Sequence, residues 1–168
     1  MTTIRSALTA LALAAAACSS PASDTPPPDA AAPAVPTDIA AVATAAAPGL
    51  TITDGELNAS KTEYEVTGTL PNGDEIELDL VQSNGAWSVL EIQRDVPWST
   101  VPEPVRAAAA TVPNPFEPVR VIESTQPADG SVVYELFSPA GQAGTPPTGP
   151  AVEVRWLDGK AAVITPAP

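Results

Sequence analysis

The chain reads as an α+β protein, built as two tandem repeats of one helix followed by a four-stranded antiparallel sheet. Three observations predict this. Apolar residues recur at helical spacing twice, as Ile39, Val42, Ala43 and Ala46, and as Val101, Val105, Ala108 and Val112. Each stripe is closed by proline, at Pro48-Gly49 and at Pro113-Asn114-Pro115. Each is then followed by short alternating runs that end at an Asn-Gly or Asp-Gly turn. The expected organisation is residues 1–17 as a leader, 18–36 as a linker, 37–98 as the first repeat and 99–168 as the second.

The amino end gives an address. Met1 to Arg5 is short with one basic residue, and Ser6 to Ala17 is small and apolar. That run is below the ~20 residues that span a bilayer and sits where a secretory leader belongs. It ends in Ala15-Ala16-Ala17-Cys18, at the only cysteine of the chain. This resembles the bacterial lipoprotein signal, although Ala15 stands where that signal usually has Leu or Val. The resemblance implies cleavage before Cys18, lipid on its thiol and a membrane anchor through that lipid. Ordinary leader cleavage, leaving Cys18 a free thiol, is the alternative. With lipid attached, the protein belongs to the bacterial cell envelope. In a Gram-negative host, Ser19 in place of Asp resembles the pattern that sorts to the outer membrane.

Ser19 to Pro36 reads SSPASDTPPPDAAAPAVP, with almost nothing to bury. Such a segment is extended and solvated, a spacer of roughly 50 Å at full stretch. All seven aromatic residues lie beyond residue 60, so the packed part begins near Thr37. The first helix is predicted over Thr37 to Ala47. The second follows Thr100, which with Glu103 matches a capping box, and Pro104 must then sit in its first turn.

The strands are predicted in parallel sets. Leu50-Thr51-Ile52 and Val119 to Ile122 open them. Tyr64-Glu65-Val66 matches Tyr134-Glu135-Leu136, and Glu75 to Leu80 matches Ala151 to Trp156. Asn84-Gly85 and Asp158-Gly159 tolerate the positive φ of two-residue hairpin turns, and lead into Ala86 to Ile92 and Lys160 to Thr165. Alternation puts Tyr64, Val66, Ile76, Leu78 and Leu80 on one face and Glu63, Glu65, Glu75, Glu77 and Asp79 on the other.

This order of helix, proline stop, Tyr-Glu-hydrophobic strand, alternating strand and Asn/Asp-Gly turn resembles the PepSY-like group. It also resembles the two-repeat architecture of β-lactamase inhibitor proteins. The likeness covers about residues 37–168 and is one of pattern; Tyr134-Glu135-Leu136, Val152-Glu153-Val154 and Asp158-Gly159-Lys160 carry it best. The resemblance implies an envelope or secreted module that binds or inhibits another protein. No inhibitory residue matches. The Pro- and Gly-rich Ser138 to Pro150 departs from the pattern by lengthening one hairpin.

Composition narrows the chemistry. With 7 Lys+Arg against 20 Asp+Glu, the net charge is -13, which phosphate backbones repel; no nucleic-acid partner is expected. The chain has no histidine, so His-based triads and His-ligated metals are excluded. No phosphate loop or nucleophile elbow is present. The reading is a non-catalytic protein, with no catalytic residue, cofactor or assigned metal ligand.

Two sets of residues remain as candidates for binding. Glu63, Glu65, Glu75, Glu77 and Asp79 form an acidic face suited to a basic envelope protein or, alternatively, to a hard cation in a calcium-buffering or structural lipoprotein. A merely solvated face, with Lys61 and Arg94 nearby, is the plain reading of the same residues. Trp87 and Trp98 are candidate aromatic contacts, with core packing as their alternative, while Trp156 alternates with Val154 and Val152 as core.

Overall fold

A computed structural model describes residues 35–139 and 149–164. The expected leader, Cys18 and most of the expected linker lie outside the described residues, as do 140–148 and 165–168.

Helix α1 spans Thr37–Ala46 and buries Ile39 and Ala43. Pro48 and Gly49, the latter at φ +87, turn the chain out of it. Strands β1 (Thr51–Leu57), β2 (Glu63–Thr69), β3 (Glu75–Ser83) and β4 (Ala86–Asp95) follow as an antiparallel meander. A 3-10 turn at Trp98–Thr100 leads to helix α2, Glu103–Ala109. Pro102 precedes that helix, and Thr100 spends its hydroxyl on the Pro97 carbonyl, so the expected capping box does not form. Strands β5 (Arg120–Gln126), β6 (Ser131–Phe137), β7 (Val152–Leu157) and β8 (Lys160–Ile164) complete the fold.

The expectation of two separate helix-plus-sheet repeats, and with it the α+β class, is overturned. All eight strands form one antiparallel sheet in the order β1 to β8, because β4 pairs with β5. With helices of only ten and seven residues laid on it, the architecture is closer to all-β. The joining residues explain why. Ile92, Gln93, Arg94 and Asp95 pair with Thr125, Ser124, Glu123 and Ile122, so both strands run three or four residues past the apolar alternation. Two open four-stranded sheets would expose two more edges, and joining them satisfies those backbone groups.

Polar side chains close the seam. Arg94 contacts Glu123 at 2.7 Å on one face, and Arg120 makes a two-pronged contact with Asp95 at 2.7 and 3.0 Å on the other.

Paired residues share a face, so the register shows where the cores sit. Ile39 and Ala43 pack on Tyr64, Val66, Ile76, Leu78 and Leu80. Val101 and Val105 pack on Val121, Tyr134, Leu136, Val152 and Val154. Tracing the pairs across the seam puts both clusters on the same side of the sheet. Each fully buried leucine there contributes about 1.5–3 kcal/mol. Both helices cover that side, and among the described residues no helix covers the other.

Candidate binding face

The uncovered side is built from the polar residues that alternate with the core. Its main feature is a row of carboxylates running straight across four strands. Glu56 pairs with Glu65, Glu65 with Asp79, and Asp79 with Glu91. A neighbouring row holds Thr67, Glu77, Gln93 and Ser124, and beyond the seam Glu135 pairs with Glu153. Like charges placed opposite one another on adjacent strands are destabilising, so the row stores repulsion.

Of the five acids singled out by alternation, three converge. Carboxylate oxygens of Glu65, Glu77 and Asp79 lie within 4.8 Å of one another. Glu63 sits nearer the β1–β2 turn, where the Asn58 amide donates to it at 2.7 Å. Glu75 is exposed at the start of β3, opposite Thr69. Arg94, expected near the acids, lies on the helix-covered side with Glu123; Arg120 is the cation that stands among them.

The row ends on β4 at Glu91, and this acid is the best held. Its Oε2 accepts from the Ser124 hydroxyl at 2.5 Å and the Gln126 amide at 2.9 Å, and its Oε1 accepts from the Gln93 amide at 3.0 Å. Ser124 is fully buried beneath this group. A β-bulge lies beside it: Asp79 faces Glu91 but Leu80 faces Val89, leaving Leu90 as the extra residue. Such an insertion sharpens local twist and re-aims the flanking side chains.

The environment splits these acids electrically. Burial opposes the Glu91 charge, but donation from Ser124, Gln126 and Gln93, with Asp79, outweighs it and holds the acid below its usual range. Asp79 is pushed up to about 7, by burial first, then by its bond to Glu91 and the charges of Glu91, Glu77 and Glu65. Glu77 is raised by burial and then by Glu65 and Glu91, against the opposing pull of Arg120. Burial also raises Glu135, helped by Glu91 and Glu153.

The tryptophans do not join this face. Trp87 packs on the first core cluster, edge-on to Tyr64 with ring centres 6.2 Å apart. Trp98 packs on the second, as does Trp156. Both cover core on the helix side, which is the core-packing reading given for Trp87 and Trp98 above. On the acidic side, the aromatic contact is Phe137, buried with the Arg120 guanidinium over its ring at 5.4 Å.

Sequence reasoning missed Glu56, Glu91, Glu135, Ser124 and Gln126 as parts of this surface. Tyr134-Glu135-Leu136 carried a usable signal, since the same alternation that turns Glu65 away from the core turns Glu135 to the same side. Nothing local joins Glu91 to Ser124 and Gln126, which are 33 and 35 residues away.

No family model matches the chain, and searches of curated proteins and of solved structures find no match either.

Proposed function

We propose that this chain is a non-catalytic module of the bacterial envelope, held by lipid on Cys18, that uses its uncovered acidic sheet face to bind a basic protein partner. One observation carries the reading. Both helices lie on one side of the sheet, and the opposite side lines up Glu56, Glu65, Asp79 and Glu91 in a single cross-strand row. A cationic partner relieves the repulsion within that row and is steered to it by the net charge of -13.

Calorimetric titration with decalysine at about pH 8 tests it. Binding is expected at low salt and is expected to weaken steeply as ionic strength rises above about 0.15 M. The double substitution Glu65→Gln with Glu77→Gln is expected to weaken it further. Absence of binding, or binding that ignores both salt and the double substitution, would count against the proposal.

A hard cation is the second reading, favoured by the convergence of Glu65, Glu77 and Asp79 oxygens within 4.8 Å. Calcium prefers six to eight oxygens, so water would complete the shell. A calcium heat and a calcium-dependent rise in melting temperature, both lost in the double variant, would favour this reading.

A further inference from the structure

We propose that Asp79 and Glu91 form a proton gate on the acidic face, which holds a cationic partner while both carboxyls are ionised and releases it when they share one proton. This rests on the binding reading above and adds its regulation.

The geometry assigns unequal roles to the two acids. They stand opposite one another in the β3–β4 register, at the bulge. Glu91 is surrounded by donors: the Ser124 hydroxyl, the Gln126 amide and the Gln93 amide all point hydrogens at it. Three donors stabilise a charged acceptor, so Glu91 keeps its negative charge.

Asp79 has the opposite surroundings. Glu65 faces it from β2, Glu77 from its own strand and Glu91 from β4. On β5 the nearby groups are the neutral Ser124 and Gln126, while Glu135 on β6 adds to the negative field around Glu91. Arg120 acts on Glu77 and Glu135 and is itself tied to Asp95. Asp79 is therefore the group that takes up a proton first, donating it back to Glu91. Its position near 7 agrees with that order. A fall from about pH 8 to about pH 5.5 crosses that value and removes the Asp79 charge from the row.

The test measures decalysine affinity of the purified protein at about pH 8 and about pH 5.5, at one ionic strength, beside carbon-13 NMR of the Asp79 carboxyl. Wild type is expected to bind about three- to tenfold more weakly at the lower pH, the effect of one partly screened charge. Asp79→Asn is expected to bind at pH 8 as weakly as wild type does at pH 5.5, and to lose most of the pH dependence. The Asp79 carboxyl carbon is expected to titrate near 7. Equal wild-type binding at both pH values, an unaltered pH dependence in Asp79→Asn, or an Asp79 titration near the ordinary 4 would each overturn the gate. Absence of binding at both pH values would instead defeat the binding reading and the gate with it, even if the NMR titration showed a shared proton.

Discussion

Gly68→Ala is expected to destabilise the protein by about 2–4 kcal/mol, among the larger costs of a single methyl group. Gly68 lies in β2 facing the helix side, between Ile52 and Ile76 in the register. A Cβ there would stand 2.5 Å from Leu50 Cδ1, 2.6 Å from the Thr51 carbonyl oxygen and 3.2 Å from Ile52 Cα. The leucine tip can swing aside, but the carbonyl and Cα belong to β1, and moving them disturbs its ladder. The chain at Leu50, leaving α1, passes directly over β2 and only a glycine leaves room for it. Urea unfolding is the measurement, with Gly149→Ala as the control, since a Cβ at Gly149 meets nothing within 4 Å. A Gly68→Ala protein as stable as the control would mean that β1 does not run where it is placed.

Stability is expected to rise as the pH falls from about 8 to about 5.5, and Asp79 is expected to be the main cause. An acid raised on folding binds a proton more tightly in the native state than in the unfolded chain. Its stabilising contribution is complete below the unfolded value, 3.8, and is lost as the pH climbs through the folded value, about 7. At face value the gap is worth about 4 kcal/mol, but the carboxyl is partly open to water and screening reduces this to about 1–2 kcal/mol. Glu77 and Glu135, also raised, act in the same direction. Glu91 and Asp129 act oppositely. Both are lowered, Asp129 to about 2 by bonds from Ser131 and then Arg155, and they withdraw their support only as the pH drops through the ordinary carboxylate range. Maximum stability is therefore expected near pH 5.

Asp79→Asn keeps the shape, can still donate to Glu91 and removes one charge from the row. It is expected to stabilise the protein by about 1 kcal/mol at pH 8 and to flatten the stability profile between pH 5.5 and 8. Urea unfolding at both pH values decides this. A variant less stable than wild type at pH 8, with the same pH slope, would place the repulsion elsewhere.

What could be read from the sequence was local. Asn84-Gly85 and Asp158-Gly159 mark turns whose residues all have positive φ, between 50 and 79°. The alternation through Glu75 to Leu80 assigns its faces correctly because one side packs under α1. The Pro48-Gly49 stop ends the first helix within a residue or two of its expected boundary. What could not be read was non-local and polar. Gln93-Arg94-Asp95 and Glu123-Ser124-Thr125 show no hydrophobic periodicity, yet they are the strands that fuse the two halves. A ladder held by backbone groups and ion pairs leaves no apolar trace, so one sheet looked like two. The same gap hid the acidic surface: until β4 and β5 are joined, Glu91 has no link to Ser124 and Gln126. The tryptophans were ambiguous for a different reason, since enrichment in cores and enrichment at binding sites leave the same residue in the sequence.

Central to this account is a single sheet whose uncovered side is one continuous acidic surface spanning the seam. Amide chemical-shift mapping during a decalysine titration at about pH 8 tests it most directly. The account predicts perturbations at Glu65, Glu77, Asp79 and Glu91 together with Ser124, Gln126 and Glu135, and little change along α1 and α2. Perturbations confined to residues before Asp95, or centred on the helices, would contradict it.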